Sequence, residues 1–131
     1  MKSKHLLLAA AVVCAAMTGC KSSDSTADNP FLQPYDTPYE IPPFDKIKAE
    51  HYLPAARQGI AELKEQVEAI ANNPEAPTFE NTVIAFENSG ETLNRVMLVF
   101  SALEESNSND EMVSIAEVLY PEYSQAQDEI M

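Results

Sequence analysis

Apolar side chains recur with a helical period in the stretch that follows residue 45. Six of them form one stripe at steps of three and four residues: Leu53, Ala56, Ile60, Leu63, Val67 and Ile70. This spacing is typical of an amphipathic helix that packs one face against a core. Pro54 suits a first-turn position, where its missing N–H donor costs nothing, and Asn72-Asn73-Pro74 is a stop signal. The pattern predicts a helix over residues 54–72.

Two more helical patterns begin after residue 77. Thr78 is a favourable N-cap for the first of them. Ser89-Gly90 interrupts that pattern, which therefore predicts either one helix with a weak point or two helices in series. Asn109 is the predicted cap of the last helix, and Pro121 predicts a kink within it. Because no strand-like alternation of useful length occurs, the predicted fold class is all-α.

The N-terminus has the pattern of an export signal. Lys2 and Lys4 precede eleven apolar residues, 6–16, which are too few to span a membrane permanently. The sequence Met17-Thr18-Gly19-Cys20 that follows resembles the lipobox of bacterial lipoproteins. That resemblance implies that residues 1–19 are a lipoprotein signal peptide and that Cys20 is lipidated, which would anchor the protein on the periplasmic side or in the outer membrane. An ordinary secretory signal with an incidental cysteine is the alternative.

Two non-helical segments separate the signal from the helices. Residues 20–28 are mostly small and polar, which predicts a flexible tether. Residues 29–44 contain five of the nine prolines, interleaved with large apolar side chains. Proline fixes φ and disfavours helix in the residue before it, so we expect an extended arm that lies across a larger body and buries some aromatic groups. A proline-rich peptide ligand for a recognition module is the alternative for this arm.

Composition narrows the function classes. The chain has 131 residues, 8 basic and 21 acidic side chains, and a formal net charge of −13. Such a charge repels the phosphate backbone, so nucleic-acid binding is excluded as a main role. Cys14 lies in the signal and Cys20 is the predicted lipid site, so the mature chain has no cysteine nucleophile or thiolate metal ligand.

Catalytic motifs are absent from this sequence. After signal removal His51 is the only histidine, and neither His-Glu-x-x-His nor Gly-x-Ser-x-Gly occurs. His51 is interpreted as a packing and hydrogen-bonding residue, with contact to a ligand as the alternative. Glu104 and Glu105 are adjacent on a helix, so their carboxylates should point apart and remain solvated. We therefore predict no catalytic and no metal-binding residue in this chain.

Short stretches before and within the helices carry a family resemblance. They are Asn29-Pro30-Phe31, Pro38-Tyr39, Pro42-Pro43-Phe44-Asp45-Lys46-Ile47, Glu50-His51-Tyr52-Leu53-Pro54-Ala55 and, most specifically, the run Ile70-Ala71-Asn72-Asn73-Pro74-Glu75-Ala76-Pro77-Thr78-Phe79-Glu80-Asn81-Thr82. Together they resemble the start of bacterial peptidyl-dipeptidases (dipeptidyl carboxypeptidases), which are zinc metallopeptidases similar to thimet oligopeptidase. The resemblance covers residues 29–131.

The resemblance implies a larger, mostly helical zincin-type peptidase that releases dipeptides from the C-terminus of oligopeptides. Zinc is the cofactor of the full-length family and short oligopeptides are its substrates. None of the family's catalytic residues can be placed here, because they lie far downstream of anything matched. Residues 45–131 would be the N-terminal helical region of that peptidase, and this chain alone is expected to be inactive.

The helical pattern still continues at Met131, so we expect this sequence to be the beginning of a longer protein. The alternative is a free-standing lipid-anchored helical lipoprotein that binds a partner or structures the envelope.

Overall fold

Helices make up most of the computed structural model, which describes residues 28–130. Four are α-helices: α1 (Ala49–Ala71), α2 (Ala85–Glu87), α3 (Glu91–Asn107) and α4 (Asp110–Ile130). A π-helix, Phe79–Ile84, leads into α2, and two 3-10 helices, Pro30–Leu32 and Pro38–Glu40, lie in the proline-rich arm. Within residues 28–130 there is no β-strand, which agrees with the all-α prediction. The predicted signal peptide and Cys20 lie outside the described residues, as does nearly all of the predicted tether.

Helix α1 begins five residues earlier than the sequence predicted. The imidazole Nδ1 of His51 accepts a hydrogen bond from the Lys48 N–H at 3.1 Å, which caps the first turn. Pro54 therefore lies in the second turn and leaves the carbonyl of Glu50, an exposed residue, without its helical donor. The prediction placed Pro54 at the first position because proline is favoured there, whereas the histidine cap extends the helix by more than a turn.

The hydrophobic core forms where α1 packs against α3 and α4. Four aromatic rings form a row that begins in this core and ends at Tyr120, which is 36% exposed. Phe31 and Tyr52 have ring centroids 5.2 Å apart, Tyr52 and Phe100 also 5.2 Å, and Phe100 and Tyr120 5.8 Å. Centroid separations in this range are favourable for tilted and edge-on aromatic pairs. The row therefore links the arm, α1, α3 and α4 into one core.

Two glycines set the contact between α1 and the start of α3. A Cβ atom on Gly59 would lie 2.6 Å from the backbone nitrogen of Leu93, so only glycine allows this approach of the two helices. Gly90 adopts a left-handed φ of +71° immediately before α3, and its N–H donates to Gln66 Oε1 at 2.8 Å. Residues on one face of α1 thus fix where α3 begins.

The region after Thr78 consists of separate helices rather than one weakened helix. Thr78 Oγ1 accepts from the Asn81 N–H at 3.0 Å while Asn81 Oδ1 accepts from the Thr78 N–H at 2.7 Å, a reciprocal cap that confirms the predicted start. The π-helix and α2 end before Gly90, and α3 starts at Glu91. Of the two alternatives that the sequence left open, helices in series is correct.

Helix α4 begins as predicted and continues through its proline. Asn109 Oδ1 accepts from the Met112 N–H at 3.0 Å and caps the first turn. The helix is unbroken at Pro121, which deprives only the carbonyl of exposed Glu117 of its donor. Ion pairs on the surface join α4 to α1, namely Arg57 with Glu122 and Lys64 with Glu129. Exposed pairs of this kind contribute little individually, so the core determines how the two helices pack.

Candidate functional site

His51 has a structural role at the beginning of α1. It is only 9% exposed, and its Nδ1 is occupied as the acceptor from the Lys48 N–H. Its backbone carbonyl accepts from Asn29 Nδ2 at 2.8 Å, which attaches the arm to the first turn of the helix. These contacts agree with the packing and hydrogen-bonding role that the sequence predicted for this histidine.

The adjacent carboxylates of α3 have different surroundings. Glu104 is partly buried and accepts a hydrogen bond from the Tyr120 hydroxyl of α4, whereas Glu105 is exposed. That hydrogen bond, reinforced by partial burial and by the negative charges of both glutamates, raises the pKa of Tyr120 to about 12. Glu104 therefore joins two helices instead of forming a proton-sharing pair with its neighbour.

The chemistry of a zinc peptidase does not fit the residues present. Between residues 28 and 130, no three or more histidine, cysteine, aspartate or glutamate side chains are grouped so that they could hold a metal ion. A catalytic zinc site uses three such ligands and an open position. The zinc that the family resemblance implies thus has no ligand set in this region, and no hydrolytic step can be derived from it.

Residues 29–35, which we call the anchored arm, are held in place by contacts with α1 and α3. Asn29 is 1% exposed, and its Oδ1 accepts from the Phe31 N–H at 3.1 Å. Arg95 of α3 donates through Nη1 to the carbonyl of Phe31 at 2.9 Å and to that of Gln33 at 3.2 Å. Its guanidinium also lies 5.2 Å from the ring centroid of Tyr35. Phe31 is fully buried by this arrangement, so this end of the arm packs against the helices.

The rest of the arm departs from the prediction. Tyr39 is 95% exposed, and Ile41 and Phe44 are also exposed, so these side chains are not buried against the described part of the protein. The predicted extended conformation is wrong at two places, since Pro30 and Pro38 each open a 3-10 turn. The φ angle that proline imposes is compatible with such a turn as well as with extended chain. Tyr39 and Glu40 both have positive φ angles, 59° and 54°, which is unfavourable for these residue types.

A second apolar region lies on the π-helix and α2. Its four large side chains are all exposed and define what we call the 79–86 surface: Phe79, Val83, Ile84 and Phe86. Phe86 also lines a cleft of about 290 Å³ whose walls include Met97 of α3 and Tyr123 of α4. No lysine or arginine occurs in the sequence between Lys64 and Arg95, whereas six glutamates do. The surface and its neighbours along the chain therefore have apolar and acidic side chains but no basic ones.

None of the helices within residues 28–130 combines the length and the apolar character needed to cross a lipid bilayer.

Comparison with curated proteins finds relatives that are all named as peptidases. The chain is 40% identical to a dipeptidyl carboxypeptidase of Salmonella typhimurium over 102 residues, 78% of this chain and 15% of that relative. It is likewise 40% identical to the dipeptidyl carboxypeptidase of Escherichia coli over 105 residues, covering 80% of this chain and 15% of the relative. Oligopeptidase A of Escherichia coli is 31% identical over 99 residues, 73% of this chain and 14% of its own length. No family model matches the sequence.

The matched region includes most of the helices described above. A match of 102 of the 131 residues includes residues 30–102 wherever it begins, and so it covers the arm, α1, the π-helix, α2 and most of α3. At the same time this chain spans only about 15% of the length of the dipeptidyl carboxypeptidases. The sequence is thus related to dipeptidyl carboxypeptidases and, more distantly, to oligopeptidase A, and it fits an N-terminal fragment of that family.

Proposed function

We propose that this chain forms the N-terminal helical part of an exported zinc peptidase that releases dipeptides from the carboxyl end of oligopeptides. Hydrolysis and zinc binding reside in polypeptide beyond these residues. The observation that carries the proposal is the 40% identity to two dipeptidyl carboxypeptidases across a region that necessarily contains residues 30–102. Identity at this level over a hundred residues supports a shared fold and a shared position within the enzyme.

The role of these residues within the enzyme is structural. Their polar side chains are used in caps and interhelical contacts, as with His51, Thr78 and Asn109, rather than in a cluster of acids, bases or nucleophiles. The helices form a closed core of their own while leaving the 79–86 surface uncovered. This combination of a closed core and an uncovered surface supports a structural role beside a peptide-binding channel.

Export and lipid anchoring form a second part of the proposal. The basic start, the short apolar run and Cys20 at its end support a signal peptide followed by acylation of the cysteine. The anchor would hold the enzyme on the periplasmic side or in the outer membrane, where it would meet short oligopeptides. Mass spectrometry of the mature protein, with Cys20→Ala as the control, should find acyl chains on residue 20 and lose them in the variant.

The first test of the proposal is the nucleotide sequence that follows codon 131. The expected result is an in-frame continuation that encodes His-Glu-x-x-His, the zinc-binding helix of the family. A stop codon with no such motif nearby would instead favour a free-standing protein.

A chimera tests the same proposal biochemically. Residues 29–131 replace the matched segment of Escherichia coli dipeptidyl carboxypeptidase, and dipeptide release from an oligopeptide is measured. As a control, the corresponding segment of Escherichia coli oligopeptidase A, the more distant relative, is grafted into the same position. The chimera should cleave, and residues 21–131 alone should not. Dipeptide release by the chain alone, or a chimera that neither folds nor cleaves, would contradict the proposal.

A free-standing lipid-anchored binding protein is the second candidate. The observation in its favour is that Phe31, Val96, Phe100 and Leu119 are fully buried within the described residues alone. A domain that closes its own core can exist without a larger body. Under this alternative the 79–86 surface would bind a separate envelope protein, and the gene would end without a zinc-binding motif.

A further inference from the structure

Within residues 28–130, no other stretch of eight residues has as many exposed large apolar side chains as the 79–86 surface. Four of its eight residues are large and apolar, and each is more than two-fifths exposed. The long helices α3 and α4 place only isolated large apolar residues on their outer faces, such as Leu98 and Val113. Scattered exposed residues are ordinary in folded proteins, whereas a contiguous cluster indicates an interaction site.

This segment keeps its shape through local hydrogen bonds and not through burial. Beyond the reciprocal cap between Thr78 and Asn81, the Asn81 Nδ2 donates to the carbonyl of Ala76 at 3.0 Å. At the other end Ser89 Oγ donates to the carbonyl of Phe86 at 2.6 Å. A surface that is ordered before it meets a partner loses little conformational entropy on binding. The segment therefore keeps its exposed apolar side chains in a defined arrangement before any partner binds.

The cleft beside Phe86 extends the surface. Its walls come from α1, α3 and the last turns of α4, through residues that include Leu63, Met97 and Ile130. With a volume of about 290 Å³ it can accept large side chains from a partner. The exposed face and the cleft therefore meet at Phe86 and form one continuous site.

We propose that the 79–86 surface and its cleft are the docking face for the catalytic body of the peptidase, through an apolar patch of that body with lysine or arginine at its rim. This inference rests on the proposed function. The dipeptidyl carboxypeptidases contain about 85% of their length outside the matched region, so in such a protein a large body must pack against these helices. The glutamates around the surface, with no basic residue between Lys64 and Arg95, select a basic rim.

A second copy of this chain fits the site less well. It would bring the same carboxylates to the same place, and like charges facing each other across an interface oppose association. The chain as a whole has a formal net charge of −13, which adds to that repulsion. The occupant that the charges favour is therefore a surface of opposite sign.

The test compares the same substitutions in two settings. Phe79→Ser with Val83→Ser removes two exposed side chains of the surface, and Leu98→Ser on α3 is the matched control because Leu98 and Phe79 are both 62% exposed. In residues 21–131 alone, both variants should change the melting temperature by less than about 2 °C, since little buried area is lost. In the chimera with Escherichia coli dipeptidyl carboxypeptidase, the double variant should lower the melting temperature by about 5 °C or more, and the control should not.

The possible outcomes distinguish a failure of the docking inference from a failure of the proposed function. If the chimera folds and cleaves but tolerates the double variant as well as it tolerates Leu98→Ser, the docking inference is overturned while the proposed function stands. A chimera that neither folds nor cleaves overturns the proposed function itself. A dimer of residues 21–131 in sedimentation that the double variant dissociates would identify a second copy as the occupant and overturn the inference. Glu87→Lys should destabilise the chimera and leave the chain alone unchanged, and an equal effect in both would contradict the basic rim.

Discussion

The anchored arm and the 79–86 surface are built alike locally but differ in what covers them. In the first, Asn29 caps the backbone N–H of Phe31, and in the second, Thr78 caps that of Asn81. Phe31 is 0% exposed, whereas Phe79 is 62% exposed. Local capping thus fixes the backbone of both segments, while burial depends on whether another element of the chain supplies a partner.

For the anchored arm the partners come from α1 and α3. Tyr52 packs on the ring of Phe31, and Arg95 donates to the carbonyls of Phe31 and Gln33. For the 79–86 surface the described residues supply no such cover. The comparison shows that the described residues cover the phenylalanine of one capped segment and leave that of the other exposed.

The largest expected effect separates the two phenylalanines. Phe31→Ala should destabilise residues 21–131 by about 3 to 5 kcal/mol, because it removes a fully buried aromatic ring and leaves a cavity. Phe79→Ala should cost less than about 1 kcal/mol, since that ring is mostly exposed. Urea unfolding followed by circular dichroism measures both. Equal losses would mean that the two segments do not differ in burial.

The next effect tests the close contact between α1 and α3, the two helices that contact the anchored arm. Gly59→Ala would place a Cβ 2.6 Å from the backbone nitrogen of Leu93, so α1 and α3 must move apart, at a cost of about 1 to 3 kcal/mol. The control is Ala61→Gly on the exposed face of α1, which should cost about 1 kcal/mol through helix propensity alone. Thermal melts of both variants check this order, and a stabilised Gly59→Ala variant would contradict the close approach.

An effect of similar size concerns Arg95, which holds the arm through hydrogen bonds. Arg95→Ala should destabilise the chain by about 1 to 3 kcal/mol, since two carbonyls of the arm lose their donor and Tyr35 loses its cation contact. Arg57→Ala, which breaks an exposed ion pair with Glu122, is the control and should cost less than about 1 kcal/mol. Limited proteolysis gives a second measurement: the Arg95 variant should be cut in residues 29–35 sooner than the control. Equal cleavage rates would show that Arg95 does not hold the arm.

The sequence was most informative where a structure is set by neighbouring residues. The caps at Thr78 and Asn109 and the apolar stripe of α1 were predictable, because each depends on side chains within one or two turns. Arg95 and Gly59 were missed, since their roles come from contacts with residues more than thirty positions away. The one signal that could have revealed the role of Gly59 was the presence of a glycine on the buried face of a long helix.

The failures within the proline-rich arm have a different physical reason. Proline restricts φ but leaves ψ free to choose between a turn and extended chain, so the two 3-10 turns could not be distinguished from the sequence. Which of its aromatic groups would be buried was equally undetermined, because Phe31 and Tyr39 both lie next to a proline and differ only in what faces them. The absence of a catalytic set was expected from composition, and it remains a prediction for activity measurements.

The smallest effect lies at the far end of the aromatic row that starts in the anchored arm. The pKa of Tyr120 is raised to about 12 in the folded chain, above the ordinary value of 10, chiefly by its hydrogen bond to Glu104. The folded state therefore holds this proton more tightly than the unfolded state, so the associated stability is fully present below pH 10 and is lost as the pH rises through 12. Since Tyr120 is about a third exposed, solvent screening keeps this contribution below about 1 kcal/mol. Burial also raises the pKa of Tyr35 and that of Tyr52, so absorbance titration of the phenol groups should show several late-ionising tyrosines. The step that belongs to Tyr120 should be missing in Tyr120→Phe. Phe79→Ser, on the 79–86 surface, should leave that ionisation step unchanged. A shift of the step in this variant would contradict the claim that the 79–86 surface and the aromatic row are independent.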